Sequence, residues 1–414
     1  MDEQNIQGRN ISVVKAHNLQ AILLSLLQHS SISRVELAEK TGLSTTTITN
    51  LTAELLEQGI IVEEGDKTTD ERRKVGRPRT LLQIIPDARY AVGVHIGIGM
   101  LRVAVTNLHA EVVYNNDMPF DRATPSEEVL QSVGDLIEMT IRQSGVNMAR
   151  VIGVGVGASG LVDHRTGVNV LAPRLNWHNV DIRTPLQNRI GLPVYVENNV
   201  RAMALAEAFF GAGRGSDVLA FVYGRIGVGA GFMVNGRLFR GSGVGAGEIG
   251  HTIVIPKGGD ECVCGNRGCL ETLVSETVLI EQAEALASIN PHSILADYLG
   301  GESTVRPIDR VFNAARDGDR LARKMIEERA FYLGIALANL VNVLNPQLIL
   351  LGGMFAEAYD LFQPMAEDTM CKNAVAGLGD KVQLKATSFG WQTGVLGGAS
   401  LVLTTKIYLQ ATGV

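Results

Sequence analysis

The chain has 414 residues, 46% hydrophobic and 19% charged, a composition of folded globular domains that excludes a disordered chain. A formal net charge of -6 excludes an overall basic surface, so any grip on nucleic acid has to be local. No apolar run reaches the ~18 residues of a membrane span, and Met1 is followed by Asp2, Glu3 and Gln4 rather than by a basic start and an apolar stretch. The expectation is a cytoplasmic protein without membrane insertion.

Apolar residues at Val14, Leu19, Ile22, Leu23, Leu26 and Leu27 predict a first helix from about Ser12 to Gln28. Ser33 and Glu36 stand at capping-box spacing and open a short second helix, which ends near Thr41 where Gly42 supplies the turn. Ser44 can cap a third helix, Thr45 to Gln58, with Ile48, Leu51 and Leu55 facing inward. Two short helices around a glycine turn form a helix-turn-helix pattern. Gly59 to Val62 then reads as a turn into a strand and residues 81–85 as its return, which leaves Glu63 to Thr80 as a wing. The span 1–85 is thus expected to be a winged helix-turn-helix.

The third helix carries no Lys or Arg. Its exposed start offers Ser44, Thr45, Thr46, Thr47, Thr49 and Asn50, with Arg34 on the preceding helix, as groups for phosphates and base edges. Cationic charge lies instead in Arg72, Arg73, Lys74, Arg77 and Arg79. The proline of Gly76-Arg77-Pro78-Arg79 extends the chain, so Arg77 and Arg79 are expected to reach into a narrow minor groove. A three-helix bundle alone could carry the helical pattern; the wing strands and the basic segment favour operator DNA as partner. Such readers pair on two half-sites, so a homodimer or a dimer of dimers is expected.

From Tyr90 onward, short β-branched strands are punctuated by glycine. Tyr90–Ile98, Leu101–Thr106, Val151–Gly157, Val194–Glu197, Val218–Tyr223 and Ala230–Val234 read as strands. Helices are expected at Ser126–Gln143, Arg201–Phe210, Thr272–Ala287, Leu321–Leu344 and Thr393–Leu403. Alternation of this kind predicts an α/β body of two lobes around a cleft. The boundaries expected are 86–200 for the first lobe, 201–392 for the second, and a C-terminal segment, about 393–414, that packs back on the first.

Three of the four cysteines fall within eight residues: Cys262, Cys264 and Cys269 follow His251 after a ten-residue gap. One histidine and three cysteines make a tetrahedral set suited to a structural Zn²⁺, with no position left for a catalytic water. Cys371 stands apart and reads as a buried apolar residue. Glu248 lies just before the cluster and Glu271 just after it. A metal would hold both rigidly, either as sugar-binding carboxylates beside one pocket or as solvated loop charges.

Glu248-Ile249-Gly250-His251 followed by the Cys-x-Cys-Gly-x-x-Gly-Cys-x-Glu run resembles the ROK family of sugar kinases and sugar-responsive repressors, and the N-terminal helix-turn-helix resembles its repressor branch. The resemblance implies a two-lobed actin-like ATPase fold. It implies sugar contacts from Asn198, Glu248, His251 and Glu271, a pocket-lining turn at Ser159-Gly160, and Asn199 in the kinases' Glu-Asn-Asp stretch.

The departures from that pattern decide what the resemblance implies about activity. Asn199 replaces the aspartate that takes the sugar proton, and an amide has no lone pair basic enough for that. Where the kinases carry Asp-x-Gly-Gly-Thr, this chain has His95-Ile96-Gly97-Ile98-Gly99, and their Gly-Thr-Gly loop is Arg225-Ile226-Gly227. The expectation is a repressor, not an enzyme, that has no use for ATP and is released by a small sugar. Arg174 stands where relatives carry an asparagine near the sugar, which points to an unusual or acidic ligand unless the side chain turns away. A sugar kinase with an accessory reading head, a repressor gated by a protein partner, and activation in place of repression stay open on the residues alone.

Overall fold

In a computed structural model, residues 11–65, 80–301 and 303–409 are described. The chain opens with α1 (Ile11–Gln28), β1 (Ile32–Ser33), α2 (Arg34–Thr41), α3 (Thr45–Glu57), β2 (Ile61–Gly65) and β3 (Thr80–Ile84). Ser33 and Glu36 form the reciprocal capping box, Gly42 turns left-handed at φ 68°, and the Ser44 side chain accepts the Thr47 N–H. β1, too short to be legible in the sequence, pairs with β3, which also pairs with β2. Leu37, Ile48, Leu51 and Leu55 are buried between these elements.

The first lobe is built from β4 (Tyr90–Ile96), β5 (Met100–Thr106), β6 (Val112–Pro119), α4 (Ser126–Ser144) and β7 (Val151–Ala158). A small antiparallel sheet of β8 (Leu161–Asp163), β9 (Val168–Ala172) and β10 (Trp177–Asp181) follows, then α5 (Arg183–Ile190), β11 (Val194–Asn198) and α6 (Asn199–Phe210). β6, β8, β9 and β10 were not expected: β8 is three residues long, β6 and β10 mix polar with apolar residues without regular alternation, and β9 is a five-residue run with the buried Asn169 inside it. β4 ends at Ile96, not Ile98, because the Gly97 N–H turns to the Met100 carbonyl.

The second lobe contains β12 (Val218–Gly224), β13 (Val228–Val234), β14 (Arg237–Phe239), α7 (Glu271–Val274), α8 (Glu276–Ile289), α9 (Ile294–Leu299), α10 (Pro307–Arg316) and α11 (Arg320–Leu344). It closes with β15 (Leu348–Gly353), α12 (Met354–Glu357), α13 (Tyr359–Asn373) and β16 (Gln383–Ala386), before α14 (Thr393–Leu403) and the wide turn Thr404–Tyr408. The single helix expected over Thr272–Ala287 is interrupted at Ser275, where the backbone is extended. Cys371 is half-buried at the margin of this lobe's core rather than inside it.

The two five-stranded sheets repeat one topology. Their orders are β11-β7-β4-β5-β6 and β16-β15-β12-β13-β14, each three antiparallel strands followed by two parallel ones. The helix after each last strand crosses over: α6 packs on β12 and β13, α14 packs on β4 and β7, and the two helices pack on each other. Glycines permit the close approach. A Cβ on Gly93 would lie 1.9 Å from the Val395 carbonyl oxygen, and one on Gly155 would lie 1.9 Å from that of Gly398.

One contiguous apolar core includes Ile22, Leu23 and Leu26 of α1, Met203, Phe209 and Phe210 of α6, and Leu396, Leu401 and Tyr408 at the C-terminal end. Among the described residues no helix is long and apolar enough to cross a membrane. Gly155→Ala should force α14 off its sheet and cost about 1–3 kcal/mol, as overpacking does. A lowered thermal midpoint is the expected result, and an unchanged one would contradict this packing.

Candidate effector site and metal centre

Strands β7 and β11 run parallel and end together at Ala158 and Asn198, so the next residues project from the sheet edge, where α/β folds place their ligands. Gly160 holds φ 104° and lies so close to Leu171 that a Cβ would meet its carbonyl oxygen at 2.5 Å. Its own carbonyl accepts the Asn198 Nδ2 at 2.9 Å. Asn198 also caps α6, its Oδ1 taking the N–H groups of Val200 and Arg201. This side chain is therefore mostly committed to holding the turn, and one Nδ2 proton remains for a ligand. Asn199 Nδ2 donates to Ser159 Oγ at 3.2 Å, which brings the two strand ends together.

The opposite wall comes from the second lobe. Glu271 opens α7 and is buried; its Oε2 accepts the Val228 N–H at 2.9 Å and its Oε1 accepts Arg174 Nη2 at 2.8 Å. Arg174, on the Pro173–Leu175 turn of the first lobe, thus faces Glu271 across the cleft and does not turn away. Glu248 precedes the short turn that carries His251. Burial holds its carboxyl above the ordinary range, the neighbouring His251 and Arg201 oppose that shift, and Glu271 adds to it.

Arg201 carries a role that the sequence reading missed. It is 1% exposed, with Nε 2.8 Å from the fully buried Glu197 and Nη1 donating to the carbonyls of Val244 and Ala246, just ahead of Glu248. Arg240 Nε completes the network at 2.6 Å from the other Glu197 oxygen. An arginine inside the apolar run of α6 was the available signal, since such a charge stays buried only when paired.

His251, Cys262, Cys264 and Cys269 place one ligand atom each within 4.8 Å of one another. Cys264 and Cys269 Sγ are 3.7 Å apart, and Cys262 Sγ is 3.5 Å from His251 Nδ1. A tetrahedral ion with bonds of about 2.3 Å to sulfur and 2.0 Å to nitrogen requires about 3.8 and 3.5 Å between its ligands, so the group could hold one metal ion. Gly268, at φ 74°, lies so near Ile255 that a Cβ would meet its carbonyl oxygen at 1.9 Å; only glycine lets the loop close here. His251 Nδ1 faces the thiols, so any ligand contact falls to Nε2.

A cavity of about 140 Å³ between the lobes is lined by His95, Arg102, Tyr223, Arg225, Glu357 and Trp391, among others. Arg225 is held by Glu276, at 3.3 Å, and by Glu357, so its charge is already balanced. The His95 ring fills the space left by Gly97 and Gly394, where a Cβ would come within 2.8 Å of it.

In the head, Thr45, Thr46, Thr49 and Asn50 are exposed at the start of α3, whereas Ser44 and Thr47 bond each other at the cap. Thr49 Oγ1 bonds back to the Thr45 carbonyl. The Arg34 guanidinium turns inward to Thr52 and Glu63. The basic segment with Arg72, Arg73, Lys74, Arg77 and Arg79 lies outside the described residues.

A reading head on two lobes of one topology, with carboxylates, amides and a metal-type cluster at the cleft, defines a helix-turn-helix protein built on a sugar-kinase-type body. The chain belongs to the ROK family, whose pattern matches residues 91–405, and a winged helix-turn-helix DNA-binding pattern matches 16–62. It is 31% identical over 401 residues to the xylose repressor of Caldicellulosiruptor bescii, covering 96% of this chain and 98% of that one. A solved ROK family transcriptional regulator, a homologue of the E. coli Mlc protein, is 29% identical and superimposes with a TM-score of 0.81 over 96% of this chain and 98% of its own. The ROK glucokinase of Streptomyces griseus, solved with glucose and AMPPNP, is 28% identical and superimposes with a TM-score of 0.68 over 75% of this chain and 98% of its own.

Burial pushes the pKa of His95 from 6.5 down to about 3, helped by Arg102 and then Arg225, so the ring is neutral in the folded protein. The unfolded chain protonates it below about 6.5, so the unfolded state binds more protons between those two values and stability falls as pH drops through that window. His95→Gln should reduce the loss of thermal midpoint between pH 7 and pH 5. An equal loss in both proteins would show that His95 is not part of the acid sensitivity.

Proposed function

We propose that this chain is a transcriptional repressor that holds operator DNA through its head and releases it when a small sugar fills the cleft. One observation carries the reading: α6 begins among the cleft residues Asn198 and Asn199 and ends with Phe209 and Phe210 in the apolar core shared with α1 of the head. A ligand that favours one closure of the lobes would therefore bias the head, provided it binds the two states unequally. The repressor name of a relative that covers almost the whole chain supports this direction.

On this reading Ser159, Gly160, Asn198, Asn199, Glu248, His251 and Glu271 bind the sugar. Asn199 aligns sugar hydroxyls without taking a proton from them. The family's phosphate loops are here the neutral His95 and the paired Arg225, beside a cavity well below the ~300 Å³ of an ordinary ligand pocket, which supports a protein that does not turn over ATP. Zn²⁺ suits the three thiolates and one imidazole; with four protein ligands it would be structural, bracing the loops of Glu248 and Glu271. DNA contact is assigned to Thr45, Thr46 and Asn50 with Arg77 and Arg79, and the protein acts as a homodimer or a dimer of dimers.

A mobility-shift titration of the operator against a panel of monosaccharides and sugar derivatives tests the proposal. One sugar should weaken operator binding at least about fivefold, the lower end of a typical allosteric coupling of about 1–3 kcal/mol. A coupled ADP assay should stay silent with every sugar, and one Zn²⁺ per chain should be found in the purified protein and lost in Cys264→Ser. Sugar-dependent ADP release, or operator affinity indifferent to the whole panel, would contradict the reading.

A further inference from the structure

We infer that the sugar this cleft selects carries an anionic substituent, a carboxylate or a phosphate, and that Arg174 is the residue that selects it. The inference rests on the sugar-site reading above and deepens it. Arg174 belongs to the first lobe and Glu271 to the second, and the 2.8 Å ion pair between them spans the cleft. The Glu271 side chain is only 7% exposed, so its charge has little water to face.

The consequence follows from what each group has left to offer. A guanidinium carries five N–H donors, and one of those of Arg174 is engaged, by Glu271. The side chain is 28% exposed, so part of it is free to meet a ligand. Glu271 uses one lone pair of each oxygen, on Arg174 and on the Val228 N–H, which leaves acceptor sites for hydroxyls.

A ligand that displaced Arg174 from Glu271 would leave a buried carboxylate without a counter-charge, so the pair stays together and the ligand meets the remaining donors of Arg174, to which a neutral sugar offers only uncharged acceptors. A sugar acid or sugar phosphate instead brings a planar or tetrahedral oxyanion to those donors, which is the geometry a guanidinium fork fits. Its hydroxyls remain free for Glu271, Asn199 and Ser159, and the Arg174–Glu271 pair stays intact. Glu248 and Glu271 stand on the second-lobe wall and repel a negative charge there, so the oxyanion has one favourable position, beside Arg174.

Calorimetric titration of the full-length, metal-loaded protein decides the matter, using glucose against glucuronate, galactose against galacturonate, glucose against glucose 6-phosphate, and xylose alone. In one pair the charged member should bind at least about tenfold more tightly than its neutral partner, as expected for a hydrogen bond to a charged group. Whether a uronate or the phosphate gains tells the two anions apart. Arg174→Gln should reduce that preference to less than about twofold, while Arg174→Lys keeps part of it and loses the bidentate share. Equal or tighter binding of a neutral sugar, or a preference unchanged in Arg174→Gln, overturns the role of Arg174 and leaves the sugar site standing. If no carbohydrate of either kind binds to protein that still holds its operator, the sugar site falls and this inference falls with it.

Discussion

The structure depends on the contact between α6 and α14. Each helix leaves the end of one sheet and packs against the other, so the two lobes are joined through a helix pair seated on glycines. The tightness is visible at Gly93 and Gly155, where a single methyl group would overlap helix backbone. At the far end of the pair, Phe210 meets Tyr408 edge to face at 5.8 Å, and the Tyr408 hydroxyl donates to the Leu108 carbonyl at 2.6 Å. Edge-to-face aromatic pairs of this kind contribute about 0.5–1.5 kcal/mol beyond their buried area. Helix α1 of the head packs on the same Thr404–Tyr408 turn. The head is therefore fastened to the elements that join the lobes, and a change in their angle has a mechanical route to it.

The cleft shows why a kinase-type body can serve that purpose. Its carboxylates and amides are fixed from behind: Asn198 by the helix it caps, Glu271 by the Val228 amide and Arg174, and the loop ahead of Glu248 by the buried Arg201. Groups held this firmly suit binding and need no reaction. The wall with His95 and Arg225 is different, with a neutral histidine and a balanced arginine around a cavity of about 140 Å³. Proposed loss of turnover and proposed retention of sugar binding thus concern different walls of the same cleft.

Much of this was legible in the residues. The head announced itself through a capping box, a glycine turn and a 3.6-residue apolar period, all of which are local signals. The His-Cys-Cys-Cys spacing marked the metal-type cluster, because few other arrangements need three thiols so close. The strands of the small sheet did not show, because β8 is only three residues long and β10, Trp-His-Asn-Val-Asp, has no apolar face. The break at Ser275 was hidden because the apolar residues on either side of it, Leu273, Val274, Val278 and Leu279, keep a helix-compatible spacing across it. The sequence showed that Arg174 was unusual, but not that its partner is Glu271, which lies 97 residues away and meets it only through the tertiary fold. Likewise, the Asn198 cap depends on where α6 begins, and the notion of it as a free sugar ligand narrows once that start is fixed.

Hydrogen exchange on the full-length protein, with and without the carbohydrate that binds it most tightly, tests the central claim most directly. Coupling through α6 and α14 predicts altered amide exchange in the cleft and also in Phe209–Gly211, in Thr404–Tyr408 and along the body-facing side of α1. Changes confined to residues near Ser159, Asn198, Glu248 and Glu271, with the head and the helix pair unaffected, would contradict it.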